Sequence, residues 1–277
     1  MEYQPTSLNV QHRQMLRSNL LTAARRLNCT IHGTPVYGWH DRTIAAKVTV
    51  DSGTFWLRVV SELVSWASGN FWEGNAASSD ITSVPKPEVL NMLEWGHRDR
   101  RFRAELLTYI SPSPVSASQE LLAEPDLTDE WWRTFDSALE SLAGHPTDRA
   151  AYSQLETTRR LRAYFADRVD PAVTYWHTAH ADLHWNNLTA PDCVLLDWES
   201  WGQAPFGYDI ATLYCHSLLV PGVAERIRRG YAEILDSPDG VRSQLLVIAR
   251  IFDRSILGDY PDLVLPLHRL ADQLVGR

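Results

Sequence analysis

The stretch that decides the fold is His177-Thr-Ala-His180-Ala-Asp182-Leu-His184-Trp-Asn186-Asn187, followed by Val194-Leu195-Leu196-Asp197-Trp198-Glu199. Between its two parts the chain turns at 190–192 and returns through 194–196, which predicts a small hairpin. Asn187 and Asp197 should therefore lie side by side at the open end of the hairpin. Asp182 comes five residues before Asn187, so its carboxylate can reach the same point.

Three oxygen-bearing side chains that converge in this way suit a particular chemistry. Two hard oxygen ligands with room for water and phosphates favour Mg²⁺ over zinc, which prefers nitrogen and sulfur. In phosphoryl transfer of the kinase type, one carboxylate orients the attacking hydroxyl and accepts its proton. An amide and a second carboxylate hold the metal against the nucleotide phosphates. The segment therefore predicts a phosphoryl-transfer site.

The pattern His180-x-Asp182-x-x-x-x-Asn187, with Leu195-Leu196-Asp197-Trp198-Glu199 after it, resembles the catalytic and metal-binding segments of the aminoglycoside phosphotransferase family. That family includes choline, homoserine and fructosamine kinase relatives and is similar in fold to the protein kinases. The resemblance implies an α+β, two-lobed protein-kinase-like fold. It also implies an enzyme that uses ATP and Mg²⁺ to phosphorylate a small-molecule hydroxyl. Asp182 would be the catalytic base, Asn187 and Asp197 the metal ligands, and His180 a brace of the catalytic loop.

The resemblance implies a nucleotide site in the first lobe. Gly38 would belong to a glycine-containing loop over the ligand, and Thr108, Tyr109 and Ile110 would form the hinge whose backbone meets adenine. Arg58 stands where the family has its phosphate-binding lysine. Arginine keeps the charge but presents a planar fork in place of a compact ammonium, so the exchange is not neutral.

Spacing alone leaves the partner of Arg58 open. We expect Glu73 to pair with it, and Glu62 is the competing carboxylate. Lys47, on the preceding predicted strand, could supply the phosphate-binding charge instead. Of the 26 basic residues only Lys47 and Lys86 are lysines, so any step that needs a lysine has just these two candidates.

The hydrophobic pattern divides the chain into a strand-rich and a helix-rich part. The first part predicts helices over 16–27 and 73–81 and strands over 43–50, 54–60, 85–95 and 101–110. Ser111-Pro112-Ser113-Pro114 cannot continue a central strand, so we place the boundary there. This gives a nucleotide-binding N-lobe, 1–110, and a C-lobe, 111–277, with helices predicted over 131–142, 154–169 and 241–256.

Residues beside the predicted centre are candidates for the acceptor site. Trp185 and Trp198 flank it, Glu199 follows, and Asp253 begins an acidic run with Asp259 and Asp262. The formal net charge of −8 is compatible with a cationic acceptor. An aminoglycoside-like or other antibiotic is one expected substrate, and metabolic or biosynthetic roles stay open.

Two other classes of function stay open at this point. His177, His180, Asp182 and His184 could form the metal centre of a hydrolase. A kinase fold that binds a ligand without turnover is the second alternative, and Arg58 is its only support.

Composition excludes several partners. The acidic balance argues against sequence-independent nucleic-acid binding, and no apolar run approaches the ~20 residues of a membrane span. The three cysteines have no metal-ligand spacing. We therefore expect a cytoplasmic protein without nucleic-acid or membrane partners.

Overall fold

The computed structural model describes residues 7–51 and 53–276, and the chain forms two units. Unit 1 comprises Met1–Ser79 and Pro87–Ser111, and unit 2 comprises Asp80–Lys86 and Pro112–Arg277. The sequence placed the whole of 1–110 in the first lobe, so the structure differs at 80–86. Ile81 and Val84 in this segment are buried, and the Pro85 carbonyl accepts a hydrogen bond of 2.9 Å from the Leu195 backbone N–H. The segment is thus held by the hairpin of unit 2.

Unit 1 contains an antiparallel sheet in the order β1-β2-β3-β5-β4. In chain order its elements are α1 Ser7–Arg26, β1 Thr30–Tyr37, β2 Thr43–Val50, β3 Gly53–Leu63, α2 Gly69–Ala77, β4 Val89–His97 and β5 Arg100–Thr108. Strand β2 has the bounds that the sequence predicted, β3 extends beyond its predicted bounds at both ends, and α1 begins nine residues earlier than predicted. Helix α2 begins four residues earlier than predicted, and β4 begins at Val89.

The two faces of this sheet have different roles because side chains alternate along a strand. One face packs on α1 and forms a buried apolar core of Leu16, Leu20, Ala23, Ala24, Ile44, Ala46, Val48, Leu57, Val59, Ala104 and Leu106. Arg58, between Leu57 and Val59, therefore points to the opposite face. Its cross-strand neighbours there are Ala45 on β2 and Glu105 on β5.

Strand β1 was not predicted. Its middle, His32-Gly-Thr-Pro35, is polar and carries two residues that weaken strands. The pairing with β2 shifts register between His32 and Val36. Most of the strand is solvent-exposed, so burial imposes no alternating pattern on its sequence.

Unit 2 is mainly helical. Its elements are β6 Ser113–Pro114, α3 Asp129–Ala143, α4 Gln154–Phe165, β7 Trp176–Ala179, β8 Thr189–Ala190, β9 Gly202–Pro205, α5 Tyr208–Cys215, α6 Pro221–Gly230, α7 Ala232–Leu235, α8 Pro238–Ser255 and α9 Val264–Val275. Strand β6 pairs with β8, and β7 pairs with β9. The predicted helices correspond to α3, α4 and α8.

Helix α8 contributes a largely buried segment beside the site. Ser237 caps it by accepting a hydrogen bond from the Gly240 N–H, and Pro238 occupies its first turn. Residues 243–249 are all buried, because α8 packs against α4, α5, α7 and α9. Across the ranges 7–51 and 53–276, no helix has both the length and the apolar character that crossing a bilayer requires.

Two adjacent leucines of α1 test the packing of unit 1. Leu20 is 1% exposed and Leu21 is 55% exposed. We expect Leu20→Ala to lower the free energy of unfolding by about 2–5 kcal/mol, because it leaves a cavity in the core. Leu21→Ala, the matched control, should change it by less than about 0.5 kcal/mol. Urea denaturation followed by circular dichroism measures both values, and equal losses would contradict the packing.

Candidate active site

The predicted hairpin is present in unit 2. Leu188 bridges to Leu195, and the Leu196 N–H donates to the Asn187 carbonyl at 2.8 Å. These contacts bring Asn187 and Asp197 to the same end of the hairpin, as the spacing predicted. Asp197 is exposed at this end, whereas Leu195 and Trp198 nearby in the chain are buried.

Asp182 lies on the loop that enters the hairpin, and both of its carboxylate oxygens face positively charged or polar groups. Arg250 of α8 donates from Nη2 to Oδ1, and His184 Nε2 lies 3.6 Å from Oδ2. Burial would raise the pKa of this carboxyl, but Arg250 and His184 outweigh it and hold the pKa well below its usual range. Asp182 is therefore ionised at neutral pH.

His180 ties the loop to the segment that carries Asp197. Its Nε2 is 2.9 Å from the Leu196 carbonyl, and its ring meets the Trp198 ring edge-on at 5.0 Å. Burial lowers the pKa of His180, so the imidazole is neutral and donates to that carbonyl. Its position fits the bracing role that the sequence predicted.

Asp209 holds the backbone of the same loop. Its Oδ2 accepts the His180 N–H at 2.7 Å, and its Oδ1 accepts the Ala181 N–H at 2.8 Å. Asp209 lies in the first turn of α5, which begins after Gly207. Gly207 has φ 80°, and a Cβ there would meet Ile234 at 2.7 Å, so glycine is required at this turn.

Asn187 is oriented by the loop. Its Nδ2 donates to the Asp182 carbonyl at 2.9 Å, which leaves the amide oxygen as the group it can offer to a ligand. An amide oxygen and the exposed Asp197 carboxylate are hard donors of the type that Mg²⁺ accepts, with room for water and phosphate oxygens. The donor set therefore fits Mg²⁺.

The histidines do not form the alternative hydrolase centre. No group of three or more His, Cys, Asp or Glu side chains among the described residues could hold a metal ion. His177 projects from β7 toward Phe206, with ring centroids 5.5 Å apart, and His180 is engaged with Leu196. The proximity in sequence does not become a shared ligand site.

In unit 1, Arg58 pairs with a carboxylate that the sequence did not single out. Its Nη1 donates to Glu105 Oε2 at 3.1 Å, and Asn75 of α2 donates to the same oxygen at 2.8 Å. The expected pair with Glu73 is wrong, since Glu73 is exposed on α2. Glu62 is also not the partner, because it faces Arg42 at 3.5 Å.

Lys47 and Tyr109, two other residues predicted to contact the nucleotide, lie close together in unit 1. The Lys47 ammonium is 4.8 Å from the centre of the Tyr109 ring, and Trp56 packs on that ring at 6.4 Å. Lys47 is paired with Trp56 across β2 and β3, so it lies on the sheet face that carries Arg58.

The hinge and the glycine loop have simple local explanations. The Thr108 N–H donates to the Glu88 carbonyl at 3.0 Å, and Tyr109 and Ile110 continue beyond the strand. Gly38 has an ordinary φ of −77°. A Cβ there would meet the Thr43 hydroxyl at 2.1 Å, so a larger residue would require the Thr43 side chain to move.

A cleft of about 310 Å³ opens in unit 2 beside the loop that carries Asp182. Its lining residues are Ala151, Tyr152, Glu156, Arg160, Ala181, Ser200, Arg250, Asp253 and Arg254. Ala181 and Arg250 are the chain neighbour and the ion-pair partner of Asp182. Asp253, a predicted substrate residue, therefore lies in the cleft wall.

Three other predicted substrate residues are placed differently. Trp185 is fully buried and stacks on Trp131, with its Nε1 donating to the Ser217 hydroxyl. Trp198 is 2% exposed and Glu199 is 8% exposed. Packing within the fold occupies the two tryptophan side chains, and a substrate contact by Glu199 stays a prediction.

Sequence reasoning missed Arg250 and Glu105. Arg250 lies within a predicted helix, where a single polar residue carries no signal of its partner. Glu105 lies in a predicted strand, and only the register of β3 and β5 places it opposite Arg58. If the predicted strands 54–60 and 101–110 had been aligned as an antiparallel pair, Glu105 could have been identified as the residue opposite Arg58.

Comparison with known proteins gives a match of fold. The sequence matches no protein-family model and no curated protein. The structure is similar to that of aminoglycoside phosphotransferase APH(4)-Ia, with a TM-score of 0.62, 12% identity, and 95% of this chain and 98% of that chain covered. It is also similar to a putative fructosamine-3-kinase from Haemophilus somnus 129PT, with a TM-score of 0.57, 12% identity and coverage of 95% and 99%.

A third similar structure is spectinomycin phosphotransferase APH(9)-Ia in complex with ADP and spectinomycin. Its TM-score is 0.52 at 13% identity, and 94% of this chain and 96% of that chain are covered. These similarities confirm the predicted α+β fold of protein-kinase type.

The Asp209 brace can be tested without knowing the reaction. In Asp209→Asn an amide N–H replaces one acceptor, so a buried backbone N–H of the loop at 180–181 loses its partner at a cost of about 1–3 kcal/mol. We expect faster amide hydrogen exchange at His180 and Ala181, measured by mass spectrometry of the peptides that contain them.

Asp239→Asn is the matched control. Asp239 is also buried and accepts the backbone N–H groups of Thr174 and Tyr175. This variant should lose comparable stability while exchange at 180–181 stays as in the wild type. Equal exchange in the two variants would contradict the role of Asp209.

Proposed function

We propose that this chain is a small-molecule phosphotransferase that moves the γ-phosphoryl group of ATP to a hydroxyl group. The observation that carries the proposal lies in unit 2, where the hairpin brings Asn187 and Asp197 to one end and the Asn187 amide donates to the Asp182 carbonyl. A cleft lined by Ala181 and Arg250 opens beside Asp182. The similar structures, two of which are named as an aminoglycoside and a spectinomycin phosphotransferase, support the same reaction type.

Asp182 would act on the acceptor. Its carboxylate accepts a hydrogen bond from the attacking hydroxyl and receives the proton as the new oxygen–phosphorus bond forms and the bond to ADP breaks. Phosphoryl transfer passes through a loose transition state that asks for positioning more than for a strong base. The low pKa of Asp182 is compatible with this role, because the ionised form is the one that orients the hydroxyl.

Asn187 and Asp197 would hold Mg²⁺ through the amide oxygen and the carboxylate. When bound, Mg²⁺ neutralises negative charge on the phosphates. His180 and Asp209 keep these two ligands and Asp182 in register through the Leu196 carbonyl and the loop backbone. The catalytic contribution of the loop is therefore mainly rigid placement.

Unit 1 would bind the nucleotide. Arg58, oriented by Glu105, is our candidate for the phosphate contact, and Lys47 is the alternative cation on the same sheet face. The backbone of Thr108, Tyr109 and Ile110 would meet adenine. The ADP in the spectinomycin phosphotransferase complex supports an adenine nucleotide as donor.

The acceptor would be a hydroxyl-bearing small molecule. Spectinomycin and hygromycin B occupy complexes of the similar phosphotransferases, so inactivation of an antibiotic is one role that fits the proposal. We also infer a cytoplasmic enzyme, because ATP is the donor and Cys29, Cys193 and Cys215 are free thiols.

Asp182→Asn tests the proposed reaction. The amide cannot take up the proton, so we expect ATP consumption with an active acceptor to fall by roughly 100-fold or more. ATP binding should be retained. The measurement is ADP release across a panel of hydroxylated antibiotics, sugars, nucleosides and choline.

Asp192→Asn is the matched control, because Asp192 is exposed in the turn of the same hairpin and should leave the rate unchanged. ATP binding without turnover by the wild-type protein with every acceptor would contradict the enzyme and favour the binding-module alternative.

Replacing the cations of unit 1 tests nucleotide binding. Loss of a charge-assisted hydrogen bond costs about 1.5–3 kcal/mol, so Arg58→Ala should raise the Kd for Mg²⁺-ATP by roughly 10- to 150-fold. Isothermal titration calorimetry gives the value. Arg25→Ala, at the exposed end of α1, is the control. A normal Kd in Arg58→Ala with a large loss in Lys47→Ala would move the assignment to Lys47.

A further inference from the structure

Arg250 lies where the cleft of unit 2 meets Asp182. From α8, its Nη2 donates to Asp182 Oδ1, and its Nη1 donates to the Ala181 carbonyl at 3.2 Å and to the Tyr208 hydroxyl at 3.4 Å. The side chain is 19% exposed, and it forms part of the cleft wall. One guanidinium thus fixes the carboxylate and also faces the space that an acceptor would fill.

The hydrogen-bond capacity of this guanidinium is not used up. Arginine has five N–H donors and no acceptor, and three of them serve Asp182, Ala181 and Tyr208. Within the described ranges, the Nε–H and the second Nη2–H have no protein acceptor. A ligand oxygen can accept hydrogen bonds from these two groups. An ammonium group has only donors and a positive charge, so it would be repelled by the guanidinium.

The carboxylates of the cleft are already compensated. Glu156 and Asp253 each lie 3.6 Å from the Arg160 guanidinium, and the Tyr164 hydroxyl donates to Asp253. Asp182 is compensated by Arg250. A cationic acceptor would therefore compete with arginine for each of these carboxylates, and the attraction expected from the net charge of the whole chain does not extend to the cleft.

We propose that Arg250 orients Asp182 for the reaction and selects acceptors whose reacting hydroxyl is flanked by an oxygen and not by an ammonium group. The inference rests on the proposed function and names the substrate class of that site. Vicinal diols, polyols and hydroxy acids belong to this class, because a neighbouring hydroxyl or carboxylate oxygen can accept from the guanidinium. Amino alcohols do not.

Matched acceptors test the selection. Each set keeps the carbon that bears the reacting hydroxyl and changes the group beside it: ethylene glycol, glycolate and ethanolamine, and trans-1,2-cyclohexanediol, trans-2-hydroxycyclohexanecarboxylate and trans-2-aminocyclohexanol. Any acceptor found by the wider ADP-release screen is added with its amino-for-hydroxyl analogue. We expect kcat/KM to be at least roughly tenfold higher for the oxygen-flanked members, the loss of one hydrogen bond being worth about that much. Higher values for the ammonium members would overturn the selection.

Variants of α8 test the positioning role. Arg250→Ala should lower kcat by roughly 100-fold because Asp182 loses its fixed orientation, with the KM for ATP unchanged and the preference among flanking groups reduced. Arg250→Lys keeps the charge without the planar fork, so an intermediate kcat is expected. This conservative variant also provides a test should Arg250→Ala fold poorly.

Arg242→Ala is the matched control on the same helix. Arg242 pairs with Asp239 and Asp170, so its loss should lower the thermal midpoint without lowering kcat. Equal kcat in Arg250→Ala and Arg242→Ala would overturn the inference while leaving the proposed function intact. A wild-type protein that consumes no ATP with any acceptor would instead overturn the proposed function, and this inference with it.

Discussion

The carboxylate of Asp209 is the contact on which the rest of the candidate site depends. It accepts two consecutive backbone N–H groups of the loop, at His180 and Ala181, and burial raises its pKa despite these bonds. The loop then positions Asp182, and the imidazole of His180 connects the loop to the Leu196 carbonyl. One buried group at the start of α5 thus determines the positions of residues drawn from two separated segments. An arrangement of this kind tolerates little movement, because each buried N–H that loses its acceptor destabilises the fold.

The near-absence of lysine has a local consequence in unit 1. The planar guanidinium of Arg58 needs a partner with matching oxygens. Glu105 supplies one, and Asn75 donates to the same carboxylate oxygen, so the glutamate is held from a strand and from a helix at once. The sheet face that carries this cluster is opposite the apolar face that packs on α1. Because side chains alternate along β3, Leu57 and Val59 pack in the core while Arg58 between them faces the side proposed for the ligand.

The parts of the fold with strong periodicity were predictable from the sequence, and so was the hairpin that brings Asn187 beside Asp197. Contacts that depend on register or on tertiary packing were not. The partner of Arg58 follows from how β3 pairs with β5, and no local pattern encodes that choice between Glu73, Glu62 and Glu105. Trp185 and Trp198 are close to the site in sequence, yet apolar burial directs them into the core. Arg250 reaches Asp182 through the tertiary packing of α8 in unit 2.

The exposed strand β1 ends the sheet on one side, and its composition matters for how copies of the chain meet. An edge strand offers unpaired backbone groups to any other strand, which makes it a template for aggregation. Here Gly33 has a φ of 70°, the register shifts between His32 and Val36, and Pro35 lacks a backbone donor. These features interrupt the regular ladder that a second strand would need. The irregularity that made β1 unpredictable from the sequence thus also disfavours edge-to-edge association of the sheet.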